Sequence, residues 1–145
     1  MEKIKLSDYE PYAFELPKVD LDFRINLNYV EILSTFYVVP KYKNYSPLVL
    51  NGVDIDIKRI TINDIFIPSD SYSLEGDRLT IYHKELKPFS LSILSNINPF
   101  NNTSLEGLYS SGGILTTQCE AEGFRRICFH PDRPDVLSRY KVRVE

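Results

Sequence analysis

From Val19 to Leu27 the chain keeps a strict two-residue period: Val19, Leu21, Phe23, Ile25 and Leu27 alternate with Asp20, Asp22, Arg24 and Asn26. Successive side chains of a strand point to opposite faces, so this pattern predicts a β-strand with one face buried and one wet. The run Val30 to Val39 is rich in β-branched and aromatic residues and is read as its hairpin partner, stopped by Pro40 or placed at an edge by it.

The same grammar continues. Leu48-Val49-Leu50 reads as a short strand, followed by Asn51-Gly52, a tight-turn signal because both residues tolerate positive φ. Ile55, Ile57, Ile60 and Ile62 change parity near Lys58-Arg59, where a bulge would account for the shift. Asn63-Asp64 is a second turn, ahead of Ile65-Phe66-Ile67. Glu75-Gly76-Asp77 separates two strands as a hairpin, and Phe89, Leu91, Ile93 and Ser95 alternate again. Residues 1–18, with Pro11 and Pro17, read as an irregular lead-in. About seven or eight short strands within the first hundred residues predict an all-β sandwich of mostly antiparallel strands. Near the C-terminus one or two short helical turns are expected. One lies within Glu120 to Arg125, and another is capped by Asp132 and begins at Arg133. A final strand spans Lys141 to Val144.

At 145 residues, one domain spanning 1–145 is the expectation. The net charge of −3 and the absence of a Lys/Arg cluster argue against nucleic acid as a partner. No apolar run approaches the roughly 18 residues of a membrane span. The stretch from Met1 to Asp8 has no apolar core of a signal peptide, so a cytoplasmic location is expected, with Cys119 and Cys128 as free thiols.

The densest chemistry lies in Thr116-Thr117-Gln118-Cys119-Glu120-Ala121-Glu122-Gly123-Phe124-Arg125-Arg126. If Thr116 to Glu120 is extended, Gln118 and Glu120 share a face and Cys119 takes the other. An amide beside a carboxylate suits a ligand that donates several hydrogen bonds and carries positive charge, as a primary ammonium does. A solvent-facing pair with no task is the plain alternative. No H-E-x-x-H, P-loop or dinucleotide fingerprint is present. Cys119, Cys128 and His130 could be assembled into a metal site, but their spacing matches no standard structural-zinc pattern, and buried or half-buried thiols are the simpler reading. No metal ligand is assigned in this chain.

Three runs carry a resemblance: Leu105-Glu106-Gly107-Leu108-Tyr109, then Thr117 to Ile127, then Asp132-Arg133-Pro134-Asp135-Val136-Leu137. Together with Asp8-Tyr9, Leu48 to Gly52 and Ile60 to Asp64, they closely resemble the N-terminal domain of the M1 (gluzincin) family of zinc aminopeptidases, the bacterial aminopeptidase N group in particular. The resemblance implies a saddle-shaped β-sandwich set over a thermolysin-like catalytic domain, in enzymes that remove single residues from peptide N-termini. It implies that Gln118 lines the pocket for the first substrate residue. It implies that Glu120 binds the free α-amine, together with a glutamate of the family's G-x-M-E-N motif. That motif, the H-E-x-x-H helix and its glutamate ligand are absent here, so zinc is expected in the parent's catalytic domain and none in this chain, which alone is expected to hydrolyse nothing. Expected partners are peptide N-termini and that catalytic domain, with the segment Leu105 to Phe129 as the candidate contact face. The alternative is a stand-alone β-sandwich module that binds peptides or a protein without catalysis.

Overall fold

The alternating stretch supplies the second half of β1, which in the computed structural model of residues 5–145 runs Phe14–Ile25; its apolar face leaves the core at the end, where Ile25 is 44% and Leu27, beyond the strand, 94% exposed. Met1 to Ile4, half of the stretch searched for a signal peptide, lie outside the described residues. The strands are β1, β2 (Val30–Pro40), β3 (Leu48–Asn51), β4 (Asp56–Ile62), β5 (Ile65–Phe66), β6 (Tyr72–Glu75), β7 (Arg78–Ile81), β8 (Phe89–Ile97), β9 (Gly107–Ser111), β10 (Ile114–Gln118) and β11 (Arg139–Val144). Among the described residues the helical ones are confined to 3-10 turns at Leu6–Asp8, Ser69–Ser71 and Phe124–Arg126.

Six strands form one sheet in the order β11-β1-β2-β8-β4-β5, three form a second in the order β3-β7-β6, and β9 and β10 make a separate hairpin. All pairings are antiparallel except β1 with β11, which is parallel. The register places the apolar set of each strand on one face: Val19 faces Phe36 across β1–β2, and Phe36 faces Leu91 across β2–β8. These residues join Leu48, Leu50, Leu79 and Ile81 of the smaller sheet in one buried cluster, so the two sheets close over a common core. An all-β sandwich is therefore the observed class. The parity shift in β4 is a register irregularity between Ile57 and Arg59, at the place where the pattern calls for a bulge.

Several local expectations are corrected. The lead-in is shorter than its prolines suggest, because β1 begins at Phe14 and absorbs Pro17 at a second register shift, between Glu15 and Lys18. A bulge tolerates a proline that regular pairing would reject. Asn51-Gly52 is not a turn. Asn51 ends β3 and pairs with His130, while the chain bends at Val53–Asp54, with φ of 57° at Asp54. Asn63-Asp64 is a tight turn, with positive φ at both residues. No helix begins at Arg133; one turn is closed there by Val136 N–H donating to the Arg133 carbonyl at 3.3 Å.

At the β11 edge the core face is uncovered. Tyr140, Val142 and Val144 stand in register with Val19, Leu21 and Phe23, yet they are 46%, 56% and 63% exposed. Among the described residues no helix is long and apolar enough to cross a membrane.

Candidate functional site

Gly112 and Gly113, with φ of 58° and 83°, turn β9 back into β10, whose last residue is Gln118. The strand ends there, so Glu120 is not on it but in the turn just beyond. Gln118 and Glu120 are exposed, while Cys119 between them is half-buried against the core; Thr117, expected on the Cys119 face, is exposed too. The Gln118 amide donates from Nε2 to the Glu120 carbonyl at 3.2 Å, which fixes one side chain to the other's backbone.

Residues 123–130 hold this turn in place. Gly123 N–H donates to the Cys119 carbonyl at 2.9 Å, and a β-carbon on Gly123 would lie 2.6 Å from the Gln118 carbonyl oxygen. Only glycine allows the chain to fold back this closely. Phe124–Arg126 forms a 3-10 turn, and Ile127 to His130 then run through the core, all buried.

The ionic arrangement around the turn is asymmetric. Arg125 holds Asp132 through Nε at 3.1 Å, Asp77 at 3.1 Å and Glu122 at 3.4 Å. Arg126 holds Asp54 at 2.8 Å and Glu106 at 3.3 Å. Every carboxylate between Glu106 and Asp132 is thus paired with an arginine, except that of Glu120, which meets no cation among the described residues. Asp132, expected to cap a helix at Arg133, instead accepts the Arg125 backbone N–H at 3.2 Å. The rest of the Pro131 to Leu137 motif ties down the start of the chain. Arg133 and Tyr9 both donate to Asp135, and Arg133 also donates to the Glu10 carbonyl at 2.8 Å.

Cys119, Cys128 and His130 are not gathered into a metal-ligating group. Burial pushes the Cys128 thiol up to about 12 and raises that of Cys119, opposing the thiolate a metal needs. His130 Nε2 is engaged by the Tyr140 hydroxyl at 2.9 Å, and burial lowers the imidazole to about 4. Among the described residues no group of three or more His, Cys, Asp or Glu is placed to hold a metal ion.

The arginine clamp escapes a reading of the sequence. Its signal is weak: an arginine three residues after Glu122 and seven before Asp132, with its third carboxylate, Asp77, distant in the chain.

Residues 10–145 match the family model of the peptidase M1 N-terminal domain. The chain is 39% identical over 142 residues to aminopeptidase N of Caulobacter vibrioides, covering 98% of this chain and 16% of that protein. It is 37% identical over 137 residues to aminopeptidase N of Escherichia coli, covering 94% and 15%. Among solved structures, aminopeptidase A of Legionella pneumophila in complex with aspartic acid superposes with a TM-score of 0.86 at 33% identity, covering 97% of this chain and 17% of that one. The chain therefore spans about one sixth of the length of these relatives.

Proposed function

This chain belongs to the peptidase M1 N-terminal domain family, and from that membership we propose that it serves a zinc aminopeptidase by binding the free α-amine of the substrate through Glu120, with Gln118 beside the first residue. The observation that carries the reading is the isolation of Glu120. Of the four carboxylates from Glu106 to Asp132, three are neutralised by Arg125 or Arg126, and the exposed Glu120 is the one that meets no cation among the described residues. An ammonium placed there would meet no competition from a resident cation. It would gain charge-assisted hydrogen bonds from the carboxylate and a further one from the Gln118 amide oxygen.

An exopeptidase must set the distance from the amine to the bond it cuts. A carboxylate on a turn held by a strand end and by ion pairs supplies a fixed origin for that distance, and positioning of this kind lowers the barrier through proximity. In this proposal the zinc and the hydrolytic chemistry belong to the catalytic domain that would be the chain's partner. Leu105, two residues before Gly107, which pairs with Gln118, is 64% exposed and supports a domain contact on that side. A cytoplasmic setting is part of the same proposal, and the free thiols of Cys119 and Cys128 fit a reducing compartment.

The test is made in the full-length polypeptide that carries this domain. Truncating one partner of a desolvated charge pair costs on the order of 2–5 kcal/mol, so Glu120→Ala should lower kcat/KM on an aminoacyl p-nitroanilide far more than Gln118→Ala. Equal, near-wild-type rates for both variants would overturn the assignment. A native polypeptide of only 16.8 kDa in source-cell extracts would favour the stand-alone module instead.

A further inference from the structure

The geometry points to Arg125 as the positioning residue of the Gln118–Glu120 site, acting by drawing the surrounding carboxylates away from Glu120 and by fixing the turn that carries it. This inference rests on the proposed amine-binding role of Glu120. Arg125 touches neither Gln118 nor Glu120, and its influence passes through groups it holds.

Its side chain is only 16% exposed, and that of Asp132 12%, so the ion pair at their centre is largely shielded from water. Three elements meet on the one guanidinium, one of them distant in sequence. Asp77 comes from the β6–β7 turn, Glu122 from the turn bearing Glu120, and Asp132 from the motif that pins the chain's start. The Arg125 backbone adds two more ties, its N–H to Asp132 at 3.2 Å and its carbonyl to the Val53 N–H at 2.9 Å. A planar guanidinium presents its five N–H donors in a fixed fork, so it can serve several acceptors in different directions at once. A lysine ammonium keeps the charge but not the fork.

The consequence for recognition is electrostatic as well as geometric. Without Arg125, the carboxylates of Glu122, Asp132 and Asp77 would lose the counter-charge they share, Glu122 two residues from Glu120. An incoming ammonium would then meet a diffuse negative surface rather than one placed carboxylate, and Glu122 would compete for it. Loss of the anchor would also release the 3-10 turn whose first residue follows Gly123.

The experiment compares Arg125→Gln, Arg125→Lys and Glu120→Ala in the full-length polypeptide. Steady-state kinetics are measured on alanine p-nitroanilide, together with the inhibition constant of alanine amide, which carries the α-amine but no scissile anilide. We expect Arg125→Gln to raise both KM and the alanine amide constant about tenfold, with kcat within about twofold of wild type. Arg125→Lys should raise both roughly threefold to fivefold, because charge returns without the fork. A purely structural role would move kcat through the folded fraction and leave KM and the inhibition constant in place. If both variants leave those two constants within about twofold of wild type while Glu120→Ala raises them, the inference about Arg125 is overturned and the reading of Glu120 stands. If Glu120→Ala also leaves them unchanged, both fall together. Should Arg125→Gln fail to fold, Arg125→Lys decides alone by the same criterion.

Discussion

Gly52 lies against the face of Phe129, so closely that a β-carbon on Gly52 would sit 2.3 Å from two of the ring's carbons. Its place after Asn51 suggests a turn residue needing positive φ; its real constraint is this approach of backbone to ring. Phe129 is 1% exposed and has no room to swing aside. Gly52→Ala should therefore destabilise the chain by about 1–3 kcal/mol, as overpacking of a closed core does. Thermal unfolding checks this, and an unchanged Tm would mean that the ring yields freely.

Gly123→Ala should act on the site directly. The atoms its β-carbon would strike are backbone, the Gln118 carbonyl oxygen at 2.6 Å and the Cys119 α-carbon at 2.9 Å, so no flexible side chain can give way. The turn must open, with loss of the hydrogen bond from Gly123 N–H to the Cys119 carbonyl. Hydrogen exchange should show reduced protection of the residue-123 amide in the variant. Wild-type protection there would refute the close fold-back.

His130 predicts a pH dependence with a definite sign. Burial lowers its pKa to about 4 from an ordinary 6.5, and Nδ1 is buried without a partner. As the pH falls from 6.5 towards 4, the unfolded chain takes up a proton that the folded chain refuses, so stability drops across that window and is level above it. The full effect is at most roughly 3 kcal/mol. His83, also lowered by burial, adds in the same direction. Urea midpoints followed between neutral pH and pH 4 should fall more steeply for wild type than for His130→Gln. Parallel curves would show that the imidazole titrates normally.

The two cysteines should differ in reactivity. Thiolate is the reactive form, and burial opposes it at both positions, most at Cys128, which is fully enclosed. Under native conditions a disulfide reagent should label Cys119 slowly and Cys128 not at all, with both labelled on unfolding in guanidinium. Prompt native labelling at Cys128, located by peptide mapping, would contradict its enclosure.

Much of this fold is legible in the chain because it is written in a local code. The alternation of β2 and β8 survives intact, and that of β1 from Val19 to Leu21, since each has one face in the core and a register shift would expose the whole apolar set. The Lys58–Arg59 irregularity is readable for the same reason: a broken parity needs a bulge. What local pattern misses is nonlocal. Asn51-Gly52 carries the composition of a turn, but pairing with His130, nearly eighty residues on, holds Asn51 in an extended strand. Asp132 has the local credentials of a helix cap, and Arg125, seven residues earlier, claims its carboxylate. Gln118 and Glu120 are identifiable as an exposed pair, although the second lies beyond the strand end. In the proposed role, what sets Glu120 apart is that the carboxylates around it are already paired with Arg125 and Arg126, whose further partners Asp77 and Asp54 no spacing rule connects to them.

The parallel pairing of β1 with β11 also shapes how the chain folds. Its partners, from Lys18 with Arg139 to Phe23 with Val144, are about 120 residues apart, so closing that contact costs on the order of 4 kcal/mol in chain entropy before any side chain is rewarded. The β1–β2 hairpin closes over a far shorter loop and has no such handicap. The kinetic order follows from topology: the hairpin belongs to the folding nucleus, and β11 docks late, with φ-values near zero for Val142 and Val144. Until it docks, one edge of β1 stands bare along an apolar strand, and that interval is when the refolding chain is most exposed to pairing with a neighbour.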